Sequence, residues 1–468
     1  ITECLAGANC GGCGYAGCAD YAKAIVMDGA PTFKCAPGGD KAADAINTIM
    51  GNATDDRPSL RATVICAGGE NCGKRFDYQG IQTCAAAASI SGGPSACAYG
   101  CLGLGSCKKA CAFGAIEIVD GVAVIDKDKC VECGKCISVC SFKNPIKKLY
   151  PQDTYIAISS DVTNTINSTS GGIFWELANA IISNGGYVCG CVLDQELNPV
   201  HIISNKIEDI VSMQGSKYIQ SDMSTIYPQI NKICQEKKDI LFTGTPCQCS
   251  AIKLHFPNYE HLYLVDIVCH GVPSSALWKK NLNELNITKS NGKMQFRIKG
   301  KYDRTRYAIS INNKIIDYKK NGYYTLFMKE RSFRKSCYQC QFAEDKRVGD
   351  ITIGDCNTWG DYANFYPDKP ISILLVNSFK GEALFNMIKD NIEYENLDFE
   401  KEKKCNRQLS VPSDIKKRLH DYELYDITFG EKKLSDYSEG YKLVDYFKYI
   451  IKRILPVKLR HNIQGIIK

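Results

Sequence analysis

Cysteine dominates the chemistry open to this chain. Of 26 cysteines in 468 residues, sixteen lie in the first 150. The stretch GANCGGCGYAGC, residues 7–18, puts Cys10, Cys13 and Cys18 within nine positions and separates them almost entirely with glycine and alanine. Three chemistries bring cysteines this close: a disulfide framework, a zinc knuckle, or an iron–sulfur cluster whose thiolates converge on one small cubane. Further on, CVECGKCISVC is C-x2-C-x2-C-x3-C at Cys130, Cys133, Cys136 and Cys140. Three thiolates at that spacing wrap one cubane from a tight loop, and the fourth, displaced by a helical turn, reaches a second cluster. A zinc site uses two separated knuckles instead. CAYGCLGLGSCKKAC adds Cys97, Cys101, Cys107 and Cys111 with wider spacing. The opening C-x2-C-x4-C, followed after sixteen residues by Cys35, fits a further cubane. Its glycines let the backbone turn closely around an inorganic core and aim N–H groups at the sulfurs. Cys66, Cys72 and Cys84 are left without a fourth ligand and read equally as one more cluster or as buried thiols.

The two later motifs together resemble a two-cluster bacterial ferredoxin. That resemblance implies one cluster on Cys97, Cys101, Cys107 and Cys140 and another on Cys130, Cys133, Cys136 and Cys111. The phrases PGG after Cys35, CAGGENCGKRFDYQGIQTC and GCLGLGSCKKACAFGAI make residues 1–148 similar to the B subunit of Rnf ferredoxin:NAD oxidoreductases, between the clusters as well as at them. A relay of clusters is what this implies.

A second kind of chemistry begins after residue 150. STSGGIFWELANAI places Ser170, Gly171 and Gly172 at the start of a helix, where free N–H groups accept a phosphate or a flavin's pyrophosphate, or where a serine simply caps the helix. ILFTGTPCQ ends a strand in a turn bearing Cys247, and VDIVCHGVPS ends the next in Cys269 and His270. Ligands sit at the carboxyl ends of strands in α/β sheets, so these two loops are expected to face one crevice. SCYQCQF contributes Cys337 and Cys340, completing four thiolates, enough for a cubane or a zinc ion. The phrases SGGIF, GSKYIQSD, FTGTPCQ, VDIVCHGVPS, FRIKG and SCYQCQFAEDKRVGDITIGD resemble the β-subunit family of coenzyme F-420 hydrogenases and dehydrogenases, from about Tyr155 to Asp361. The resemblance implies an FAD-binding iron–sulfur module exchanging electrons with a deazaflavin. On matching positions Ser170, Gly171, Gly172, Lys217, Tyr218, Thr245 and Pro246 are expected to contact flavin or substrate. His270 is a candidate to protonate a flavin or substrate atom, or a structural histidine at a strand end.

These residues need elements to hold them. DKAADAINTIMG reads as an amphipathic helix closed by Gly51, and residues 1–60 and 61–148 form two cysteine-rich segments. From YIAISSDV at Tyr155 the texture becomes alternating strands and helices. YVCGCVL, DILFTGT, LYLVDIV and DITIGD read as buried strands; GIFWELANAIISN, STIYPQINKICQEKK and SALWKKNLNELN as helices between them. The expected fold is therefore an α+β ferredoxin-like multi-cluster region followed by an α/β flavin domain with a mixed sheet at 155–361. Residues 362–468 form an extension whose basic, partly apolar tail, YFKYIIKRILPVKLRHNIQGIIK, reads as a surface helix or a peripheral membrane contact.

Composition narrows the function. The formal charge of +7 counts cysteines as neutral; four oxidised cubanes contribute about −8, so the holo-protein is near neutral and nucleic-acid binding is not expected. The absence of a secretory signal pattern and of a long apolar run predicts a cytoplasmic, reducing setting, where such cysteines bind metal. The reading is an iron–sulfur flavoprotein oxidoreductase with at least four 4Fe-4S clusters and FAD. Its expected partners are ferredoxin or another redox protein and a small hydride carrier; the alternative is a non-catalytic electron-transfer subunit.

Overall fold

The computed structural model describes residues 1–9, 13–52, 64, 66, 69–97, 100–130, 135–138, 140, 147–256, 259–289, 294–299, 306–312, 314–362 and 370–441. The chain divides into two compact units, Ile1–Ile146 and Lys147–Lys468.

In the first unit, α1 (Cys18–Asp28) and α2 (Gly39–Met50) each end on a glycine in the left-handed region, Gly29 at φ 65° and Gly51 at φ 69°. The buried stripe of α2 is Ala42, Ala43, Ile46 and Asn47, the spacing of one helical face. It packs with Leu5, Tyr21, Ile25 and Cys35 into a small core. Short helices α3 (Cys84–Ala88), α4 (Ser106–Ala110) and α5 (Lys135–Ser138) carry later cysteines, and α4 packs against α5. Between these two helices β1 (Ile116–Val119) and β2 (Val122–Ile125) form an antiparallel hairpin. Its turn residues Asp120 and Gly121 both have positive φ, 48° and 75°, as a two-residue type I′ turn requires.

The second unit is built on an eight-stranded mixed sheet. Its strands are β3 (Asp153–Ser159), β4 (Tyr187–Leu193), β5 (Pro199–Ser204), β6 (Ile240–Gly244), β7 (Leu262–Ile267), β11 (Ile351–Asp355), β12 (Ser372–Val376) and β13 (Ile392–Asn396), in the order β13-β3-β12-β11-β7-β6-β4-β5. β4, β6, β7 and β11 run parallel at the centre, and the four apolar runs expected to be strands are these four. The helices α6 (Val162–Asn167), α7 (Ile173–Ser183), α8 (Ile207–Met213), α9 (Ile226–Gln235), α10 (Pro246–His255) and α11 (Ser275–Glu284) lie between these strands; α7, α9 and α11 are the three the sequence implied, and α6, α8 and α10 were not foreseen.

The sheet does not stop at Asp361. The run ISILLV supplies β12, and with β13 it encloses β3 in antiparallel pairing. Alternate residues then face opposite ways: Ala157, Leu374 and Val376 pack with Leu177, Ile181 and Leu384 on one face, and Ile156, Ile158, Ile373 and Leu375 form a core on the other. Both faces being covered explains why these strands read as continuous apolar runs. A second, three-stranded antiparallel sheet, β8 (Gln295–Ile298), β9 (Arg306–Ile311) and β10 (Lys314–Asp317), shares an aromatic core with α11, α12 (Gly322–Met328) and α15 (Asp421–Phe429) through Trp278, Phe296, Tyr323, Tyr324 and Ile427. The remaining helices are α13 (Phe379–Ile388) and α14 (Phe399–Cys405). The basic tail lies outside the described residues, among which no helix is long and apolar enough to cross a membrane.

Candidate functional site

In the first unit the backbone gathers cysteines at two places. Cys13, Cys18 and Cys35 line one small cavity together with Tyr21. The Tyr21 hydroxyl donates to Pro31 O (2.6 Å) and accepts from Lys34 N–H (2.9 Å), which ties the Cys35 loop to the helix that Cys18 opens. Burial pushes the Tyr21 hydroxyl up to about 12, and the neighbouring Cys13 and Cys35 thiols add to the shift. Cys10 and Cys133 lie outside the described residues. At the second place Cys101 N–H points at Cys66 Sγ (3.5 Å), and Cys84 N–H donates to the hydroxyl of Ser106, the residue before Cys107 (2.8 Å). The Cys107 thiol is pushed up by burial first, then by Cys84 and Cys101. Cys66 and Cys84, which the spacing left unassigned, thus stand beside Cys101 and Cys107. Cys111 accepts from Ala115 N–H (3.4 Å); Cys130, Cys136 and Cys140 are half-buried and Cys97 is exposed.

In the second unit the carboxyl ends of β6, β7 and β11 open into a cavity of about 460 Å³, within the range of small-molecule sites. Cys247 stands in the first turn of α10, whose start is fixed by a capping box: Thr245 N–H donates to Gln248 Oε1 (3.0 Å) and Pro246 occupies the first turn. Cys269 follows β7, while Cys337 and Cys340 come from a distant segment. That segment is anchored by a buried ion pair: Arg347 Nη2 donates to Asp266 Oδ1 (3.0 Å), the two side chains 1% and 0% exposed. Asp266 on β7 also accepts from Val348 N–H, Gly349 N–H and the Thr352 hydroxyl. A buried carboxylate so completely satisfied locks the Cys337–Cys340 segment to the strand that delivers Cys269. Sequence reasoning missed both residues; the charged pair inside VDIV and DKRVGD was the available signal.

The four thiols feel one another. Burial pushes Cys269 well above its ordinary value, with Cys337, Cys247 and Cys340 adding to it, and pushes Cys340 up to about 12, with Cys247 and Cys337 adding. Cys337 is raised mainly by burial. Backbone N–H groups aim at the sulfurs: Gly271 at Cys269, Val272 at Cys337, Phe342 and Ala343 at Cys340. Donors of this kind stabilise and tune cluster-bound thiolates. Among the described residues no three His, Cys, Asp or Glu side chains are drawn closely enough to share one metal ion. As a donor set, four thiolates fit a cubane, in which each takes a different iron, or a zinc ion.

The cavity wall includes Ser170, Gly172, Lys217, Tyr218, Thr245 and His270, and Cys269 of the quartet borders it directly. Several of these residues also have structural partners. The Ser170 hydroxyl donates to Ile371 O rather than capping α7, whose N-cap is Gly172. Gly171 is buried, its N–H donated to Ser372 Oγ (2.9 Å), and Pro246 is buried in the first turn of α10. The Lys217 ammonium donates to the carbonyls of Ser212, Met213 and Gln214 at the end of α8. Tyr218 stacks on Phe327 (4.4 Å between centroids). Its hydroxyl is pushed up to about 12 by burial. His270 is ringed by protein yet open to the cavity; burial lowers its pKa while Asp355 and Glu330 oppose the shift. Also on the wall, and unforeseen, is the Arg297–Asp355 pair, with the guanidinium 5.0 Å over the Tyr307 ring. Nearby Lys299 is pushed down to about 8 by burial and by the Arg297 charge. His201 and Asn406 border the cavity as well.

Comparison with known proteins gives matches to separate stretches. Residues 237–402 match the family described as coenzyme F-420 hydrogenase/dehydrogenase, C terminus of the beta subunit; residues 5–37 match a putative Fe-S cluster family; residues 123–143 match the 4Fe-4S binding domain. The N-terminal region is similar to the B subunit of the ion-translocating oxidoreductase complex of Methanosarcina acetivorans, 42% identical over 135 residues, 28% of this chain and 51% of that protein. It is also similar to the B subunit of the Na(+)-translocating ferredoxin:NAD(+) oxidoreductase complex of Acetobacterium woodii, 44% identical over 142 residues, 30% of this chain and 43% of that protein. The chain thus spans about half the length of these relatives. A chain in a solved structure of the F-420-reducing [NiFe] hydrogenase complex from Methanosarcina barkeri aligns at TM-score 0.38 and 16% identity, covering 57% of this chain and 92% of that one. The matches make this an iron–sulfur protein related, stretch by stretch, to subunits of redox complexes.

Proposed function

We propose that the chain is an iron–sulfur flavoprotein oxidoreductase. In this reading the cavity of the Lys147–Lys468 unit holds FAD, Cys247, Cys269, Cys337 and Cys340 hold a 4Fe-4S cluster beside it, and the Ile1–Ile146 unit carries a ferredoxin-like relay on the remaining named cysteines. The observation that carries it is the shared wall: Cys269 belongs both to the half-buried thiol quartet and to the cavity lining. Electron transfer between a bound ring and a cluster asks for this adjacency. FAD, when bound, exchanges a hydride on one side and single electrons on the other, the link a cluster relay needs. The chain's own residues supply a cavity wall, the paired Arg297 for a ligand's anionic part, and His270 to accept or return a proton at the cavity edge. The hydride carrier is coenzyme F-420 or a similar small molecule, and the relay's partner is a ferredoxin or another redox protein in a reducing, cytoplasmic setting.

Anaerobic purification with metal, sulfide and flavin analysis tests this. Four cubanes require about 16 iron atoms per chain with matching sulfide, and one FAD. An iron count near half of that, or stoichiometric zinc, overturns the relay; iron without flavin overturns the cavity reading and favours a non-catalytic electron-transfer subunit.

A further inference from the structure

The first of the two ferredoxin-like motifs lacks its second ligand. Set against Cys130, Cys133, Cys136 and Cys140, it has Cys101, Cys107 and Cys111 at the matching spacing, but Leu104 stands where the second cysteine belongs. Cys97 lies four residues before Cys101, off that spacing, and is exposed. A cubane that keeps the motif's geometry takes Cys101 and Cys107 from this loop and its other thiolates from elsewhere.

Folding brings two. Cys101 N–H points at Cys66 Sγ (3.5 Å), thirty-five residues away in the chain, and backbone donors of this kind are what cluster-bound thiolates accept. Cys84 opens α3, where Thr83 caps the helix by accepting from Ala86 N–H (3.2 Å). The Cys84 N–H donates to the hydroxyl of Ser106, which opens α4 (2.8 Å), so the start of one helix is fixed against the start of the other, one residue from Cys107. Burial acts first on the Cys107 thiol, Cys84 next, and Cys101 adds to them. Cys66 thus meets Cys101, and Cys107 feels both Cys101 and Cys84. All four are half-buried, and they come from three separate segments. Thiolates gathered this way repel one another unless a metal centre takes up their charge. In a cubane each takes a different iron, so the four need not be drawn onto one ion.

We infer that Cys66, Cys84, Cys101 and Cys107 hold one 4Fe-4S cluster of the first unit, in place of the ferredoxin-like set with Cys97 and Cys140, and that Cys97 is not a ligand. This rests on the reading of that unit as a cluster relay; it changes one ligand set and leaves the number of clusters as it was.

The test is iron, zinc and sulfide analysis of the full-length protein purified anaerobically, for the wild type, Cys66→Ala, Cys84→Ala, the double variant and Cys97→Ala. Alanine removes a ligand with little change of volume, so a thiol that only fills space loses no iron. Each single variant at 66 or 84 is expected to lose about four iron atoms per chain with matching sulfide, the double variant the same four and no more, and Cys97→Ala none. Iron at the wild-type count in either single variant, twice the loss in the double, zinc lost in place of iron, or iron lost on Cys97→Ala overturns the inference while leaving the relay standing. A measurement on the wild type decides even where a variant fails to fold. Iodoacetamide added anaerobically to the holo-protein is expected to alkylate Cys97 at once, and Cys66 and Cys84 only as iron is chelated away, read by peptide mass spectrometry. Alkylation of Cys66 or Cys84 at full iron content overturns the inference equally. A wild type holding no more than the second unit's share, about four iron atoms, overturns the relay itself and the inference with it.

Discussion

The two units solve the problem of holding a fold in different ways. In the Ile1–Ile146 unit the apolar cluster consists of Leu5, Tyr21, Ala22, Ile25, Cys35, Ala42 and Ile46, and the sheet among the described residues is one short hairpin. The Lys147–Lys468 unit has two clusters of eighteen buried residues each and an eight-stranded sheet. Glycine has two uses in the chain. Gly14 sits at φ 87° with open space where a side chain would go, serving a loop that must turn tightly around its thiols. Gly171 has an ordinary φ, but a Cβ there would stand 2.4 Å from Ala157 O. Gly14 serves direction and Gly171 close packing, and both uses occur in both units, as Gly38 and Gly185 show. A unit with so small a core leans on what its cysteines bind, as small metal domains do; a unit with a full core does not.

The largest effect expected from that difference comes from removing iron. Anaerobic chelation of the full chain is expected to unfold the first unit while the second keeps its cooperative transition. Limited proteolysis should then erase residues 1–146 and leave a resistant fragment starting near Lys147. Protection of the first unit without iron breaks the comparison.

Replacing one ligand in the second unit sharpens it. Cys340→Ser puts a hard oxygen where a soft thiolate is needed and is expected to lower iron by about four atoms per chain, with the fold of that unit and its flavin retained. Flavin bleaching by a reduced carrier in a single turnover should survive, whereas steady-state flow through the clusters should collapse. Unchanged iron and turnover would make Cys337 and Cys340 a structural knuckle.

How much of this was legible follows from the same contrast. Buried parallel strands announce themselves as short apolar runs between turns, so the sheet's centre and the helices α7, α9 and α11 stood in the sequence. β12 and β13 did not, because they pair with β3 across more than two hundred residues and no local period records that. Cysteine spacing recorded the cluster motifs of the first unit, since three of the ligands to a cubane come from one loop. It said nothing of Cys66 and Cys84 beside Cys101 and Cys107, a meeting made by chain folding. The Arg347–Asp266 lock was invisible for a related reason: burial and pairing decide its role, and both are properties of the folded chain.

Packing glycines give a smaller, cleaner contrast. Gly171→Ala forces a methyl group against Ala157 O and Ser372 N, and is expected to destabilise the second unit by about 3 kcal/mol, read from its thermal transition. Gly14→Ala meets no atom, and its expected cost is the left-handed backbone alone, about 1 kcal/mol, read as faster iron loss from the first unit. Equal costs at the two positions would mean that the close approach at Gly171 adds nothing beyond a backbone term.

The smallest effect is a slope. The His201 ring has its pKa lowered from 6.5 to about 4, by burial first and then by the Lys217 charge, with the Thr243 hydrogen bond and Asp222 opposing. Between those two values the unfolded chain binds the proton and the folded chain does not, so the second unit gains stability as pH rises through this window and loses it as pH falls. From pH 7 to pH 5 this ring alone accounts for about 2 kcal/mol of loss. His201→Phe also removes the donor to Thr243 O, which costs stability at every pH and shifts the whole curve; the titrating proton changes only its steepness. Urea midpoints of the second unit at pH 7, 6 and 5 separate the two contributions, and the variant's stability should fall less over that range by about the same 2 kcal/mol. Parallel curves would mean that the folded ring takes up its proton as freely as the unfolded one. A dry, full-core unit would then be wet at His201, and the contrast with the first unit would be weaker there than the packing indicates.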